Sequence, residues 1–232
     1  KDGKTFFWSG KYHNDLNSRD TLATELNVLE NFDPKIPESA KDAEVLLLGN
    51  LHPAVQLAVL DRMEKRPQLV ILDTMNFWMD LTWDLLLEVI AKTDVITIND
   101  EEARQLSGEY SLVKAAQKIH DMGPEFVIIK KGEHGALLFN DGKIFAIPAL
   151  PLEEVFDPTG AGDTFAGGFA AYLTKIQEFT FEEMKSALIV GSAMASFTVE
   201  KFGTQRLEEV TEAEMIGRIK QFKELTTFEV KL

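Results

Sequence analysis

The hydrophobic positions of this chain form short continuous apolar runs, separated by longer stretches with the spacing of amphipathic helices. Continuous apolar runs are typical of strands that are buried on both faces of a parallel sheet. The alternation predicts an α/β fold, with a mostly parallel central sheet between two layers of helices, in a single domain over residues 1–232. The predicted strands cover residues 5–8, 45–48, 69–72, 95–98, 126–129, 136–139 and 144–147, and the predicted helices cover 54–65, 81–92, 100–106, 112–122, 164–175, 181–199 and 212–222.

Polar residues stand where successive predicted strands end. Ligands of parallel α/β sheets bind at the carboxyl ends of the strands, so these residues are the first candidates for a site. They are Asn50, Asp73, Asn99, Lys130 and Asp157.

Residues 157–165 form the most distinctive segment and read Asp-Pro-Thr-Gly-Ala-Gly-Asp-Thr-Phe. The segment follows a β-like pair at 155–156, which predicts a strand, a tight glycine turn and a helix. Unpaired amides at a helix N-terminus bind phosphate, and a carboxylate there is suited to take a proton from a hydroxyl that attacks the phosphate. A Walker loop requires a lysine where Asp163 stands, and a dinucleotide loop requires a glycine at Phe165. A plain tight turn would not need Asp163.

Composition narrows the classes of partner. The formal net charge is −14, from 38 acidic and 24 basic residues, which argues against binding to nucleic acid or to an anionic membrane. The chain has no cysteine, and none of its apolar runs approaches the roughly 20 residues that span a bilayer. We therefore expect a cytoplasmic protein that acts on a small molecule.

Residues 157–165 resemble the C-terminal signature of the ribokinase family of carbohydrate and nucleoside kinases, the PfkB group, and the likeness extends over about 45–203. The resemblance implies a ribokinase-like three-layer α/β/α fold. It also implies transfer of the γ-phosphoryl group of ATP, with Mg²⁺, to a hydroxymethyl group of a sugar or nucleoside. Asp163 would be the base, and an anion hole would be formed by the amides of Gly160, Ala161, Gly162 and Asp163.

Three further segments resemble elements of this family. Asn99 and Glu102 match an Asn-x-x-Glu element that would hold water around Mg²⁺ and orient the phosphates; a helix cap is the alternative interpretation, and both can hold at once. The segment 130–135 resembles the nucleotide loop, with Lys130, Gly132, Glu133 and Gly135 as ATP-binding candidates, and a solvated turn is the alternative. Ser192 and Gly203 would lie beside the adenine, and close helix packing is the alternative there.

The sequence offers fewer candidates for residues that bind the phosphate acceptor. By the resemblance, Asp157 would lie near the acceptor or near a loop that holds a monovalent cation such as K⁺, and Asn50 is a second candidate contact. The chain corresponds to the C-terminal two-thirds of the family fold, with residues 1–30 as a remnant of a lid through which two copies could form a homodimer. A nucleotide-binding module without turnover, and a kinase of the vitamin branch, remain as alternatives.

Overall fold

The structure is a computed structural model that describes residues 3–14, 16 and 19–230. Its strands are β1 (Phe7–Tyr12), β2 (Arg19–Glu25), β3 (Val45–Leu48), β4 (Leu69–Asp73), β5 (Val95–Asn99), β6 (Phe126–Lys130), β7 (Ala136–Asn140) and β8 (Lys143–Ile147). Its α-helices are α1 (Pro53–Asp61), α2 (Asn76–Leu81), α3 (Trp83–Ile90), α4 (Asp100–Ser107), α5 (Leu112–His120), α6 (Ala161–Ile176), α7 (Phe181–Thr198) and α8 (Glu212–Thr226).

The central sheet has six strands in the order β3-β4-β5-β6-β7-β8. The first four are parallel, and β7 and β8 add an antiparallel hairpin at one edge. The prediction of a mostly parallel sheet flanked by helices is confirmed. Because the parallel strands are in sequence order, the carboxyl ends of β4, β5 and β6 lie side by side.

Each face of the sheet has its own hydrophobic core. On β4, Leu72 belongs to a core with α1–α5, whereas the neighbouring Ile71 belongs to a core with α6–α8, and both are fully buried. Successive side chains of a strand point to opposite faces, so a strand covered on both sides must be apolar at every position. This is the physical reason for the continuous apolar runs in the sequence.

The two strands β1 and β2 form a separate antiparallel sheet. Strand β1 extends to Tyr12, beyond the predicted end at residue 8, with an irregularity in pairing between Ser9 and Gly10. The Trp8 indole occupies the space beside Gly10, where a Cβ would come within 2.2 Å of it. Of the predicted lid segment 1–30, residues 1, 2, 15, 17 and 18 lie outside the described residues. Association of two copies through this hairpin stays a prediction.

Two predicted elements are wrong in detail. Residues 155–156 do not form a strand, because the amides of Phe156 and Asp157 donate to the carbonyl of Val199 at 2.7 and 3.3 Å instead of pairing with the sheet. The predicted helix 81–92 is shorter, Trp83–Ile90, and a short helix that was not predicted, α2, ends just before it, since Thr82 leaves helical geometry and donates its amide and hydroxyl to the Trp78 carbonyl. Among the residues that the structure describes, no helix is both long and apolar enough to cross a membrane.

Candidate active site

Three neighbouring parallel strands bring a lysine and an aspartate into contact. Asp73 ends β4 and is 7% exposed, Thr97 is its partner in register on β5, and Lys130 ends β6. The Lys130 Nζ donates to Asp73 Oδ1 at 2.9 Å, and the Thr97 hydroxyl donates to the same oxygen at 3.1 Å. The pair is largely buried, with 18% of the lysine side chain and 9% of the aspartate side chain exposed.

Asn99 and Glu102 form a capping box at the start of α4. The Asn99 side chain accepts from the Glu102 amide at 2.8 Å, and the Glu102 carboxylate accepts from the Asn99 amide at 2.7 Å. Glu102 is buried, and this burial, with the nearby charge of Asp73, raises its pKa to about 7 although Lys130 opposes the shift. The helix-cap interpretation is therefore correct for these two residues, and a role toward Mg²⁺ is compatible with it.

The glycine turn leads into α6 as the sequence predicts, but the helix starts at Ala161, three residues before the predicted start. Gly160 precedes the helix with φ 83°, a left-handed conformation that favours glycine. The Ala161 amide donates to the Pro158 carbonyl at 3.1 Å, whereas no backbone acceptor faces the Gly160 or Gly162 amides within the described part of the chain. These two amides and the positive end of the helix dipole make the turn suitable for an anion.

Asp163 lies in the first turn of α6, and its side chain is exposed. Partial removal from water and the charge of Asp73 raise the pKa of its carboxyl, while Lys130 and Arg19 act in the opposite direction. A carboxylate with a raised pKa is a stronger base than an ordinary surface aspartate, which suits proton abstraction.

Lys130 connects these parts of the site. Burial alone would lower the pKa of its ammonium, but the carboxylates of Asp73, Glu102 and Asp163 outweigh burial and raise it. The ammonium also lies 3.3 Å from the position that a Cβ would occupy on Gly162. The structure thus brings Lys130 close to the glycine turn, the candidate base and the capping-box glutamate.

The rest of the predicted nucleotide loop is a short turn between β6 and β7. Gly132 and Glu133 are exposed, in a single turn of 3₁₀ helix. Gly135 has φ 84°, and a Cβ there would lie 2.0 Å from the Ile147 carbonyl oxygen. Close approach of the β8 backbone therefore explains why glycine stands at position 135.

Helix packing accounts for Gly191 on α7. A Cβ on Gly191 would lie 2.7 Å from the Phe165 carbonyl oxygen, so α6 and α7 approach closely at this point. Ser192 is half-buried on α7, and Gly203 lies in an exposed turn beyond it with φ 60°. The hydroxyl of Thr198, at the end of α7, donates to that of Thr164 at 2.9 Å, which ties α7 to the glycine helix.

Both candidate residues for binding the phosphate acceptor already form hydrogen bonds within the chain. Asn50 Oδ1 accepts from the Trp78 indole at 2.8 Å, and Asp157 Oδ1 accepts from the Thr159 amide at 2.9 Å. The Thr159 hydroxyl in turn donates to the Tyr12 hydroxyl at 3.2 Å, so the β1–β2 hairpin contacts the glycine turn.

Sequence reasoning did not identify Thr97 and Arg19, and it left Asp73 without a role. Thr97 is a polar residue inside an otherwise apolar strand, which is a usable signal for a buried polar contact. Nothing in the sequence around Arg19 indicates a role, because its electrostatic effect on Asp163 depends on the tertiary arrangement of the β1–β2 hairpin and α6.

Known proteins are similar to this chain over much of its length. The family model described as pfkB family carbohydrate kinase matches residues 13–211. A cytidine kinase of Thermococcus kodakarensis is 36% identical over 173 residues, which are 73% of this chain and 61% of that protein. A ribokinase of Haemophilus influenzae is 39% identical over 123 residues, or 51% of this chain and 38% of that protein. The chain thus spans less than two-thirds of the length of these relatives.

Solved structures show the same fold. A ribokinase of Thermotoga maritima superposes with a TM-score of 0.72 at 23% identity, covering 95% of this chain and 71% of that one. A nucleoside kinase of Methanocaldococcus jannaschii gives the same TM-score at 21% identity, covering 95% and 70%. With the family model matching most of its length, the chain belongs to the pfkB family of carbohydrate kinases.

Proposed function

We propose that this chain carries the nucleotide site and the catalytic base of an ATP-dependent kinase, which transfers the γ-phosphoryl group to a hydroxymethyl group of a sugar or nucleoside. The observation that carries the proposal is the position of Asp163, in the first turn of α6 and near Lys130, beside the Gly162 amide, which has no backbone acceptor among the described residues. Relatives named cytidine kinase and ribokinase support the reaction class.

In this proposal the glycine turn receives the transferred group. The Gly160 and Gly162 amides donate to phosphoryl oxygens, and the Lys130 ammonium supplies a full positive charge. The Ala161 amide is already bonded to Pro158, and the Asp163 amide interacts with its own carboxylate, so two of the four amides expected from the sequence remain for the anion. Asp163 takes the proton of the acceptor hydroxyl as the new bond to phosphorus forms.

The side chains of this site could supply only some of the ligands of a Mg²⁺ ion. The described residues contain no group of three or more histidine or acidic side chains that could hold a metal. Mg²⁺ commonly retains several waters and binds through phosphates plus one or two carboxylates, and Glu102 is suitably placed for such a contact. When bound, the ion would neutralise phosphate charge, and Glu102 and Asn99 would orient its waters. A monovalent cation near Asp157 would bind through the carboxylate oxygen that does not accept from the Thr159 amide.

The adenine of the nucleotide would lie toward the end of α7, near Ser192 and Gly203. What supports this position is the bond between Thr198 and Thr164, which joins the end of α7 to the helix that carries Asp163. The β1–β2 hairpin, linked to the glycine turn through Tyr12, would act as the lid that excludes water.

Two measurements on the chain test the proposal. Isothermal titration calorimetry with ATP and Mg²⁺ should show binding at one site, and a coupled assay of ADP release against a panel of sugars and nucleosides should show turnover with at least one acceptor. Binding without ADP release for every acceptor would favour the alternative of a nucleotide-binding module. Absence of ATP binding would contradict both.

A further inference from the structure

The buried contact between Asp73 and Lys130 is more specific than an incidental ion pair. The two residues end the strands β4 and β6, which lie on either side of β5. One oxygen of Asp73 accepts from both the Lys130 ammonium and the Thr97 hydroxyl. The hydroxyl, fixed on the intervening strand, restricts rotation of the carboxylate and so sets the direction from which the ammonium approaches.

Burial makes this partner necessary. An ammonium removed from water tends to lose its proton unless an opposite charge lies close by. Among the three carboxylates that act on Lys130, Asp73 has the largest effect and is the one that hydrogen-bonds to it. Glu102 and Asp163 are the other two, and in the proposed function both have their own tasks.

The contact also fixes where the positive charge lies. With Nζ bound to Asp73, the ammonium lies 3.3 Å from the Cβ position of Gly162, close to an amide of the proposed anion hole. A lysine has four rotatable bonds and loses considerable entropy when held. A lysine released from Asp73 would sample other directions, away from the glycine turn.

We propose that Asp73, assisted by Thr97, is the positioning residue of the nucleotide site: it holds the Lys130 ammonium beside Gly162, where that ammonium binds the terminal phosphoryl group of a nucleoside triphosphate. The inference rests on the proposed function and extends it to a residue outside the family signature. Asp73 acts through Lys130.

The test compares Asp73→Asn with Asp94→Asn. Asp94 is the control because its carboxylate likewise accepts a bond from a cation, Arg66, and a second bond, here from the Val70 amide, but at the opposite end of the same strands. Competitive acetylation by acetic anhydride, followed by mass spectrometry, measures the titration of Lys130 without any substrate. Asp73→Asn should move that titration to lower pH by about one unit or more. Asp94→Asn should leave it unchanged.

Calorimetry then measures whether the position of the Lys130 ammonium affects the affinity for ATP. Asp73→Asn should weaken ATP binding about tenfold at pH 7 and more at pH 9, with a smaller loss for ADP. Lys130→Met should give a similar loss, and the double variant should be no worse than Lys130→Met alone. Thr97→Val removes one hydrogen bond to Asp73 without changing the shape of the side chain. It should lower the Lys130 titration and the ATP affinity in the same direction but by less. If Asp73→Asn does not fold, Thr97→Val replaces it in the test.

The outcomes distinguish a failure of the positioning role of Asp73 from a failure of the proposed function. An unshifted Lys130 titration in a folded Asp73→Asn or Thr97→Val variant overturns the positioning role, as does a shifted titration with unchanged ATP affinity. Additive losses in the double variant also overturn it. Absence of ATP binding by the unsubstituted chain contradicts the proposed function itself, and the inference falls with it.

Discussion

The ammonium of Lys130 lies 3.3 Å from the position that a Cβ would occupy on Gly162. Gly162 is in the first turn of α6, in ordinary helical geometry, so its backbone does not require glycine. Glycine there costs helix stability relative to alanine. The space that its missing side chain leaves is the space that lets the lysine approach the helix N-terminus.

Gly162→Ala should therefore raise the stability of the fold and lower the affinity for ATP. The helix should gain up to about 1 kcal/mol in its free energy of unfolding, because alanine is the better helix former. ATP affinity should fall about fivefold, as the ammonium is displaced by a few tenths of an ångström and a charge-assisted contact weakens. Denaturant titration and calorimetry measure the two effects.

Gly167→Ala is the control for this substitution. Gly167 lies in the same helix, and a Cβ there would have no neighbour within 4 Å. It should give a similar gain in stability with unchanged ATP affinity. If both variants bind ATP like the unsubstituted chain, Lys130 does not contact the phosphates.

Asp163→Asn tests the catalytic base. Loss of a positioned base should lower kcat by about 10²–10⁴-fold with the best acceptor of the panel. ATP affinity should be kept or slightly improved, because a negative charge is removed from beside the phosphates. Since the pKa of Asp163 is raised, the acid limb of the pH–rate profile should lie above the range of an ordinary aspartate and should disappear from the residual activity. Normal turnover of the variant would rule out Asp163 as the base.

Much of the fold can be predicted because the central strands are covered on both faces. In β4, β5 and β6 every position from the first residue to the penultimate one is buried, so the sequence of these strands cannot alternate and is easily recognised. Strand β2 is the opposite case. It pairs only with β1 and is largely exposed, so its polar sequence has no reason to show a strand period.

The candidate site was predictable only where its residues are neighbours in sequence. The glycine turn with Asp163 and the pair Asn99 and Glu102 are local patterns. The bond between Asp73 and Lys130 joins residues 57 positions apart, and it follows from the order of strands in the sheet. Strand-end positions indicate which residues share an edge of the sheet, but they do not determine which of them are bonded.

Glu102 gives a prediction about stability and pH. Its pKa is about 7 in the folded chain against an ordinary value of 4.5, so the folded state retains a proton that the unfolded state loses between these values. Stability contributed by this proton is present below pH 4.5 and is lost as pH rises to about 7. The loss is on the order of 3 kcal/mol for a shift of this size.

Glu102→Gln should remove this pH dependence. The glutamine can still accept from the Asn99 amide, so the helix cap is kept. The variant should match the unsubstituted chain near pH 5 and exceed its free energy of unfolding at pH 8, while Mg²⁺-dependent ATP binding weakens. Glu101→Gln, in the same turn but exposed, is the control and should show no such divergence. Equal stability of Glu102→Gln and the unsubstituted chain at pH 8 would contradict the raised pKa.

Gly135→Ala tests whether the turn after β6 is constrained by packing. Both Gly135 and Gly142 have positive φ, at 84° and 75°, which costs an alanine about 1–2 kcal/mol in the left-handed region and more at Gly135, where ψ is −142°. Only at Gly135 would the new Cβ collide with backbone, 2.0 Å from the Ile147 carbonyl oxygen, whereas at Gly142 it has no neighbour within 4 Å. Denaturant titration should therefore show a clearly larger loss of stability for Gly135→Ala than for Gly142→Ala. Equal losses would mean that β8 can move away from the turn, and the backbone conformation alone would then account for glycine at position 135.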